Sequence, residues 1–465
     1  MSIQCANLLL FFYLCKYIHD FCEKYHYFLF FCEKITTFAV GMSLSSIVKS
    51  SGVRNFTKLL SANVVAQIIG LVVYPILTRM YAPEDFGLLN LFLSIGGVLA
   101  ILSTAEYYYA IVLPKEEKDA EQVLGVGVLW LVTTTVLVGL SVAFSKPISL
   151  LFKSPNLASY YWLMPLYVFA MGAWNLLNYW YIRHKDYNPI SRYQVSQNVL
   201  SAGGKLGMGW GGVLQGGMIY SVVVAPLISL LSSWVVARKT LLPAWRRISW
   251  RGVREQGQVY RNFPCFVLPR SFVNMLAGQM PVLLLTPFFG GEAVGFLSLA
   301  ILLGYTPIGT ITRAIYQVMY QHTMEQVHEQ KPIGQIFRKF ILSASAIIIP
   351  VFVGLWFVLP QLTAWLLGAE WHVSGEYIRW MLPWLYVSLL SCSINYLFDV
   401  FMKQKWGLFF EVMLAVMRVA GLCIGVWADN FMLAIMCYSF FTALALVAQI
   451  IWMLWQVRRY DRSLG

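Results

Sequence analysis

The chain reads as an all-α polytopic membrane protein of about twelve transmembrane helices, in two six-helix halves related by a pseudo-two-fold axis along the membrane normal. Three observations predict this. Of the 465 residues, 59% are hydrophobic and only 12% are charged, against roughly 45–50% apolar content in an average soluble domain. Charges, prolines and polar clusters divide the chain into twelve apolar segments, each able to supply the roughly 20 residues a crossing needs. A hairpin motif then recurs 208 residues downstream, at the equivalent place in the second set of six segments.

The segments lie near 58–79, 86–110, 122–144, 159–181, 193–213, 217–237, 263–286, 294–318, 339–359, 376–398, 406–427 and 431–455. Residues 1–41 stand apart as an N-terminal extension. They hold four of the eight cysteines and carry no net charge, and neither of their apolar runs is a clean span. They also lack the basic start and small-residue cleavage site of a signal peptide. His19, Cys22, His26 and Cys32 match no standard zinc spacing, so no metal or cofactor is expected. Met42, opening a polar and basic lead into the first apolar segment, is read as the working start. Cys265, Cys392, Cys423 and Cys437 sit singly in apolar runs and are expected to be small packing residues.

Charge gives the orientation. After residue 41 the segments on the side of the termini carry 23 Lys or Arg, and the opposite side carries Arg79, Lys146, Lys153 and Arg379. By the positive-inside rule both termini are cytoplasmic. The whole net charge of +13 is explained in this way, which removes the reason to expect a nucleic-acid partner. Seven of these cations fall in 238–262, a basic cytoplasmic linker between the halves 42–237 and 263–465. Trp162, Trp180, Trp371 and Trp455 lie near helix ends and are read as an interfacial aromatic belt.

The repeat sets Leu77-Thr78, Glu84, Gly87, Leu89 and Leu91 against Leu285-Thr286, Glu292, Gly295, Leu297 and Leu299. Six helices separate the copies, so both have the same orientation, as in transporters built from parallel repeats. In the first copy, Ala82-Pro83-Glu84-Asp85-Phe86-Gly87 places proline in a first helical turn and two acids at the positive end of a helix dipole.

Tyr74-Pro75-Ile76-Leu77-Thr78-Arg79 followed by that hexapeptide, together with Ala110-Ile111-Val112-Leu113-Pro114 and its charged loop, resembles the N-terminal signature of the polysaccharide exporter family. That family includes the Wzx-type O-antigen flippases. It lies within the superfamily that also holds multidrug and toxic-compound exporters and the lipid II flippase. The sequence departs from the pattern at Glu106, where similar sequences often carry arginine, and at Tyr108, where they often carry glutamate. The resemblance implies a bacterial inner-membrane transporter of lipid-linked polysaccharide repeat units. Its partners would be the lipid-linked oligosaccharide, membrane lipids, and the polysaccharide polymerase with its chain-length machinery.

Polar stripes mark helix faces that must meet protein or water. Helix 1 aligns Asn63 and Gln67 with Gly70, Tyr74 and Thr78; helix 5 aligns Gln194, Asn198, Ser201 and Lys205; helix 8 aligns Thr306, Thr310 and Arg313; helix 7 sets Arg270 and Asn274 one turn apart among prolines. Interhelical hydrogen bonding is the bland alternative for the uncharged positions. Lys205 is roughly 18 Å into its helix at 1.5 Å per residue, too deep to snorkel easily. It points away from Gly203, Gly207 and Gly211, whose spacing predicts a close-packed seam. Arg418 is similarly deep, and Glu411, two turns away on the same helix, is out of its direct reach, so each needs another partner. Arg313 is near the cytoplasmic end and has snorkelling as its alternative. Glu106 is placed on the face of helix 2 opposite Asn90 and Ser94.

A cationic interior of Lys205, Arg270, Arg313 and Arg418 suits an anionic pyrophosphate headgroup. The expected function is flipping by alternating access, with Glu106, Asp399 and Glu411 as candidate ion-coupling sites. A drug or cation antiporter of the same superfamily would favour buried carboxylates instead. A membrane glycosyltransferase or polymerase would need catalytic residues in a sizeable soluble loop, and the connecting segments outside are short. No catalytic residue, and hence no enzyme, is expected.

Overall fold

The computed structural model describes residues 73–213 and 216–464. The chain divides into two units, Met1–Thr57 and Lys58–Gly465. The first lies wholly outside the described residues, as do the start at Met42 and the stripe residues Asn63, Gln67 and Gly70.

Every later apolar segment falls on a helix. After α1 (residues 73–80) come α2 (Pro83–Leu102), α3 (Glu117–Ser141), α4 (Met164–Arg183), α5 (Asn188–Trp210), α6 (Gly217–Arg247) and α7 (Trp250–Val259). They are followed by α8 (Leu268–His328), α9 (Gly334–Leu367), α10 (His372–Ile394), α11 (Gln404–Trp427) and α12 (Phe431–Leu464). Helix α8 is two arms joined at Gly290, whose φ of 84° and ψ of 174° break the helical path. Only glycine adopts such angles without strain, and the sequence places it between the seventh and eighth apolar segments.

Among the described residues eight helices are long and apolar enough to cross a membrane, with both arms of α8 counted together. The chain is a multi-pass membrane protein. Helices α4 and α5 are less apolar because Asn175 and Asn178 interrupt the first, and Gly, Ser, Asn and Gln fill the second. The stretch 238–262 is helical rather than a loop: α6 runs on to Arg247, and α7 lies against α3 through Val253. Ser249 caps α7 by accepting from the Gly252 amide at 3.1 Å.

The hairpin copies meet at the centre of the packing. Leu77, Thr78, Leu89 and Leu91 are buried, and so are Leu285, Thr286, Leu297 and Leu299. At Gly87 the backbone passes so close to the Gly291 carbonyl that a Cβ would have no room. At Gly295 it meets the Pro83 carbonyl in the same way. The offset of 208 residues carries Pro83 to Gly291 and Gly87 to Gly295, so the contact is reciprocal. Around it, the Thr78 hydroxyl donates to Leu367 O at 2.8 Å and Trp371 Nε1 donates to Thr78 O at 3.1 Å.

Two expectations change here. Trp371, between Phe86 and Phe296, and Trp180, bonded to Thr240, are fully buried rather than interfacial; Trp162 and Trp455 are exposed, as an aromatic belt would have them. An indole N–H with a buried acceptor stabilises a core as readily as a water interface. Of the four cysteines among the described residues, Cys265 and Cys423 are exposed, and Cys392 and Cys437 are partly enclosed.

Candidate functional site

The cationic residues form two groups. In the first, the second arm of α8 presents Tyr305, Thr306, Thr310 and Arg313. Tyr305 stacks on Trp384 of α10 with 5.9 Å between centroids, and Trp384 meets Tyr438 of α12 edge-on at 5.5 Å. Arg418 of α11 lies over Tyr438 at 5.9 Å. Arg313 lies two turns beyond Tyr305 on the same arm of α8, and Arg418 reaches the same aromatic patch through Tyr438. Arg313 Nε donates only to Gly309 O on its own helix, at 3.3 Å, and Arg418 Nε has no hydrogen-bond partner. Among the described residues neither arginine has an acidic partner within 4.0 Å.

Arg270 is different. On the first arm of α8 it reaches Glu411 of α11, Nη2 to Oε1 at 3.1 Å. This pair removes Arg270 from the free cations and Glu411 from the free carboxylates, and it gives Glu411 the partner that Arg418 is too distant to be. Asn274, one turn on, is exposed.

The second group is on α5. Lys205 is half-buried, and its backbone carbonyl accepts from the Tyr81 hydroxyl at 2.7 Å. Asn198 Nδ2 donates to the backbone carbonyl of Gln194 at 2.8 Å, the Gln194 side-chain Oε1 has no partner, and Ser201 is half-buried. Among the described residues Lys205 has no acidic partner, and no hydrogen bond or ion pair joins it to the arginines. The glycine seam is not where spacing puts it. Gly203 and Gly207 have nothing within 4 Å, while Gly204 packs on Ser221 and Gly209 on Met80 and Tyr81. Spacing defines a stripe, but the neighbours decide which glycines pack: α6 approaches at Gly204, one residue (about 100°) round from Gly203, and residues 80–81 approach at Gly209, two residues (about 200°) round from Gly207.

Glu106 is not on the face of a helix. Helix α2 ends at Leu102, and Ala105 and Glu106 take left-handed backbone angles (φ 46° and 62°) before a 3₁₀ turn, Tyr107–Val112. Asp399 is exposed on the short turn Leu397–Val400.

A feature the sequence reading missed is Arg183, at the end of α4. It donates to Glu117 Oε2 (2.9 Å), Ile111 O (3.1 Å), Pro114 O (2.9 Å) and Glu116 O (3.2 Å). One guanidinium thus fastens the Ala110–Pro114 motif and its charged loop. The signal available was an arginine closing one apolar segment opposite a loop rich in acids.

Comparison with known proteins agrees with this architecture. A protein-family model described as "Polysaccharide biosynthesis protein" matches residues 76–376. The teichuronic acid biosynthesis protein TuaB of Bacillus subtilis is 25% identical over 199 residues, which is 42% of this chain and 39% of that protein. The aligned part is therefore well under half of that relative. Among solved structures, an inward-facing multidrug resistance MATE family transporter of the MOP superfamily superposes with a TM-score of 0.65 at 14% identity, over 88% of this chain and 96% of that one. The lipid II flippase MurJ, in an inward closed conformation, superposes at 0.61 and 12% identity, over 87% and 89%. The chain belongs to the polysaccharide biosynthesis protein family, on the fold that MOP-superfamily transporters share.

Proposed function

We propose that this protein is a flippase of the bacterial inner membrane that moves an undecaprenyl-pyrophosphate-linked polysaccharide repeat unit from the cytoplasmic to the periplasmic leaflet. The observation that carries the reading is the absence, among the described residues, of any acidic partner for Arg313, Arg418 and Lys205. A cation in the hydrocarbon region costs about 2.5–3.5 kcal/mol even on insertion scales, so an unpaired set has to be compensated by a ligand. Pyrophosphate supplies charge-assisted hydrogen bonds to arginine. The aromatic patch of Tyr305, Trp384 and Tyr438 beside the arginines offers flat surfaces against which a proximal sugar stacks.

In this reading the helices before and after the linker 238–262 are two six-helix halves, crossing at Gly87 and Gly295, and both termini are cytoplasmic. The lipid tail stays in the bilayer while the headgroup occupies the interior. The halves then rock about the crossing to expose it to the periplasm. The polymerase and chain-length machinery receive the unit there. Lys205, with Gln194, Asn198 and Ser201, contributes from the first half; Thr306, Thr310, Arg313 and Arg418 contribute from the second. Asn274, beside the Arg270–Glu411 pair, borders the site.

The deciding experiment deletes the gene and measures lipid-linked oligosaccharide on each leaflet. Accumulation on the cytoplasmic leaflet is the expected result. If the lipid-linked unit is missing altogether, the protein makes that unit rather than moving it.

A further inference from the structure

The stretch from the end of α6 to the start of α8 is charged in a way that its neighbour is not. Residues 238–262 hold seven Lys or Arg and one acid, Glu255. Residues 115–121, which open α3 beside it, hold Lys115 and Lys118 against four acids. Two of the seven cations are neutralised: Arg247 Nη2 lies 3.2 Å from Glu121, and Arg251 Nε lies 2.9 Å from Glu255. The other five, Arg238, Lys239, Arg246, Arg254 and Arg261, are exposed, and among the described residues none has an acidic partner within 4.0 Å.

One side of this stretch is seated on the protein. Gln122 of α3 donates through Nε2 to Arg247 O and accepts at Oε1 from the Ser249 amide, both at 2.9 Å. The Tyr107 hydroxyl donates to Gly257 O, also at 2.9 Å, and Val253 is buried beside Gly125. With Val253 inward, 100° per residue carries Arg251, Arg254 and Gln258 to the opposite face of α7 and Trp250 and Val259 to its flanks; all five are exposed. The outer surface is apolar as well as basic, because Trp245, Trp250, Val259 and Phe266 are 57–73% exposed. Large apolar side chains interleaved with unpaired cations suit neither bulk water nor hydrocarbon. They suit the boundary, where indole rings sit at headgroup level and arginine stems lie along the apolar edge with their guanidinium groups among the headgroups. The height agrees: about 20 residues of α6 counted from Gly217 fill the hydrocarbon and bring the chain out near Arg238, and Gln122, on which α7 is seated, opens the apolar part of α3.

We propose that residues 238–262 form a docking surface for anionic phospholipid, with the five unpaired cations taking the headgroup phosphates and Trp245 and Trp250 entering the boundary beside them. Charge and polarity together select this occupant. An acidic lipid brings a negative headgroup and an apolar chain to one place, which matches cations and indoles side by side, and a basic segment beside a membrane is drawn to an anionic leaflet far more than to a zwitterionic one. Lipid held there fastens the stretch that joins α6 to α8. The proposal goes beyond the export reading and does not depend on it.

The test reconstitutes the full chain into nanodiscs of phosphatidylcholine alone, or of phosphatidylcholine and phosphatidylglycerol in equal parts, and follows hydrogen–deuterium exchange over residues 238–262 by mass spectrometry. Exchange is expected to be at least about tenfold slower with phosphatidylglycerol present. In about 1 M NaCl, where the Debye length is about 3 Å, the difference between the two lipids should vanish for the unaltered chain. The variant Arg238→Gln/Arg246→Gln/Arg254→Gln/Arg261→Gln is expected to exchange equally in both lipids. Lys403→Gln/Lys405→Gln, which removes two exposed cations elsewhere, should keep the difference. Equal exchange of the unaltered chain in both lipids, or an undiminished difference in the quadruple variant, overturns the proposal and leaves the export reading as it stands. A slowing that appears only when undecaprenyl phosphate is added to phosphatidylcholine overturns it too, because the surface then belongs to the transported lipid rather than to the surrounding leaflet.

Discussion

Arg270 Nη2 and Glu411 Oε1 lie 3.1 Å apart, tying the first arm of α8 to α11. An ion pair of this kind holds two helices together without presenting net charge to a ligand. With 65% of the Arg270 side chain and 33% of the Glu411 side chain exposed, removing one partner costs what an exposed pair is worth, about 0–1 kcal/mol. Arg270→Gln and Glu411→Gln are each expected to lower the amount of folded protein in membranes by up to several-fold, the response to a loss of at most about 1 kcal/mol. The double variant Arg270→Gln/Glu411→Gln is expected to recover most of it, because two neutral amides can bond each other. Fluorescence-detected size exclusion reads this directly, and a double variant no better than the singles removes the pair from the account.

Arg418 and Arg313 predict the opposite pattern. Arg418 interacts with Tyr438 by a cation–π contact at 5.9 Å, which stabilises by about 0.5–1 kcal/mol at an exposed site. Arg418→Gln should therefore reach near wild-type abundance and lose polysaccharide export. Lys205→Gln should do the same. Arg313→Gln should be milder, since its side chain is exposed. Surface polysaccharide restored in a deletion strain is the measurement. Normal export by all three variants would leave the cationic interior without a role.

The glycines divide sharply. An alanine at Gly87 or Gly295 drives its methyl into a backbone carbonyl of the other hairpin copy, and main chain in a packed core does not yield. Gly87→Ala and Gly295→Ala are each expected to prevent accumulation of folded protein. At Gly216, with φ of +77°, a side chain meets the Tyr160 ring as well. A Cβ added at Gly207 would meet nothing within 4 Å. Gly216→Leu should therefore be much more damaging than Gly207→Leu, measured as Tm in detergent. Equal melting of these two would show that the crowding at Tyr160 relaxes without cost.

What the sequence could reveal follows from what each pattern encodes. Segment lengths and loop charges encode helices, and apolar segments fell on α2–α6 and α8–α12 with only local shifts. The hairpin repeat encodes packing because its leucines and glycines are constrained by a contact with its own copy, and that contact is where the structure puts them. Glu106 defeated helical periodicity: nothing in Leu102 to Tyr107 announces a left-handed turn, since neither Gly nor Pro is present. The Gly203, Gly207 and Gly211 stripe misled because a sequence specifies a helix face without specifying its neighbour. Partners across long separations, such as Arg270 with Glu411 or Arg183 with the loop after α2, are set by tertiary packing, and one sequence carries no record of them.

Arg183 offers a last test, of a link between a loop and the helix end that holds it. Its guanidinium serves three backbone carbonyls and the Glu117 carboxylate at once, a task for a planar fork of donors that a lysine ammonium cannot perform. Arg183 is largely enclosed and Glu117 half-exposed, at 11% and 47% of side-chain surface. The carboxylate contact alone is therefore worth about 0–1 kcal/mol, whereas the carbonyls stranded by its loss cost about 1–3 kcal/mol each where water is excluded. Glu117→Gln should leave the loop closed. Arg183→Lys and Arg183→Ala should open it, freeing the backbone at Lys115 and Lys118, whose side chains are already exposed, for trypsin while the helices remain folded. A tenfold faster cleavage corresponds to about 1.4 kcal/mol of local opening when cleavage is slow relative to reclosing, and both variants are expected to exceed that. Cleavage of Arg183→Lys at the wild-type rate would mean that charge alone secures the loop, and the fork of hydrogen bonds would then be incidental.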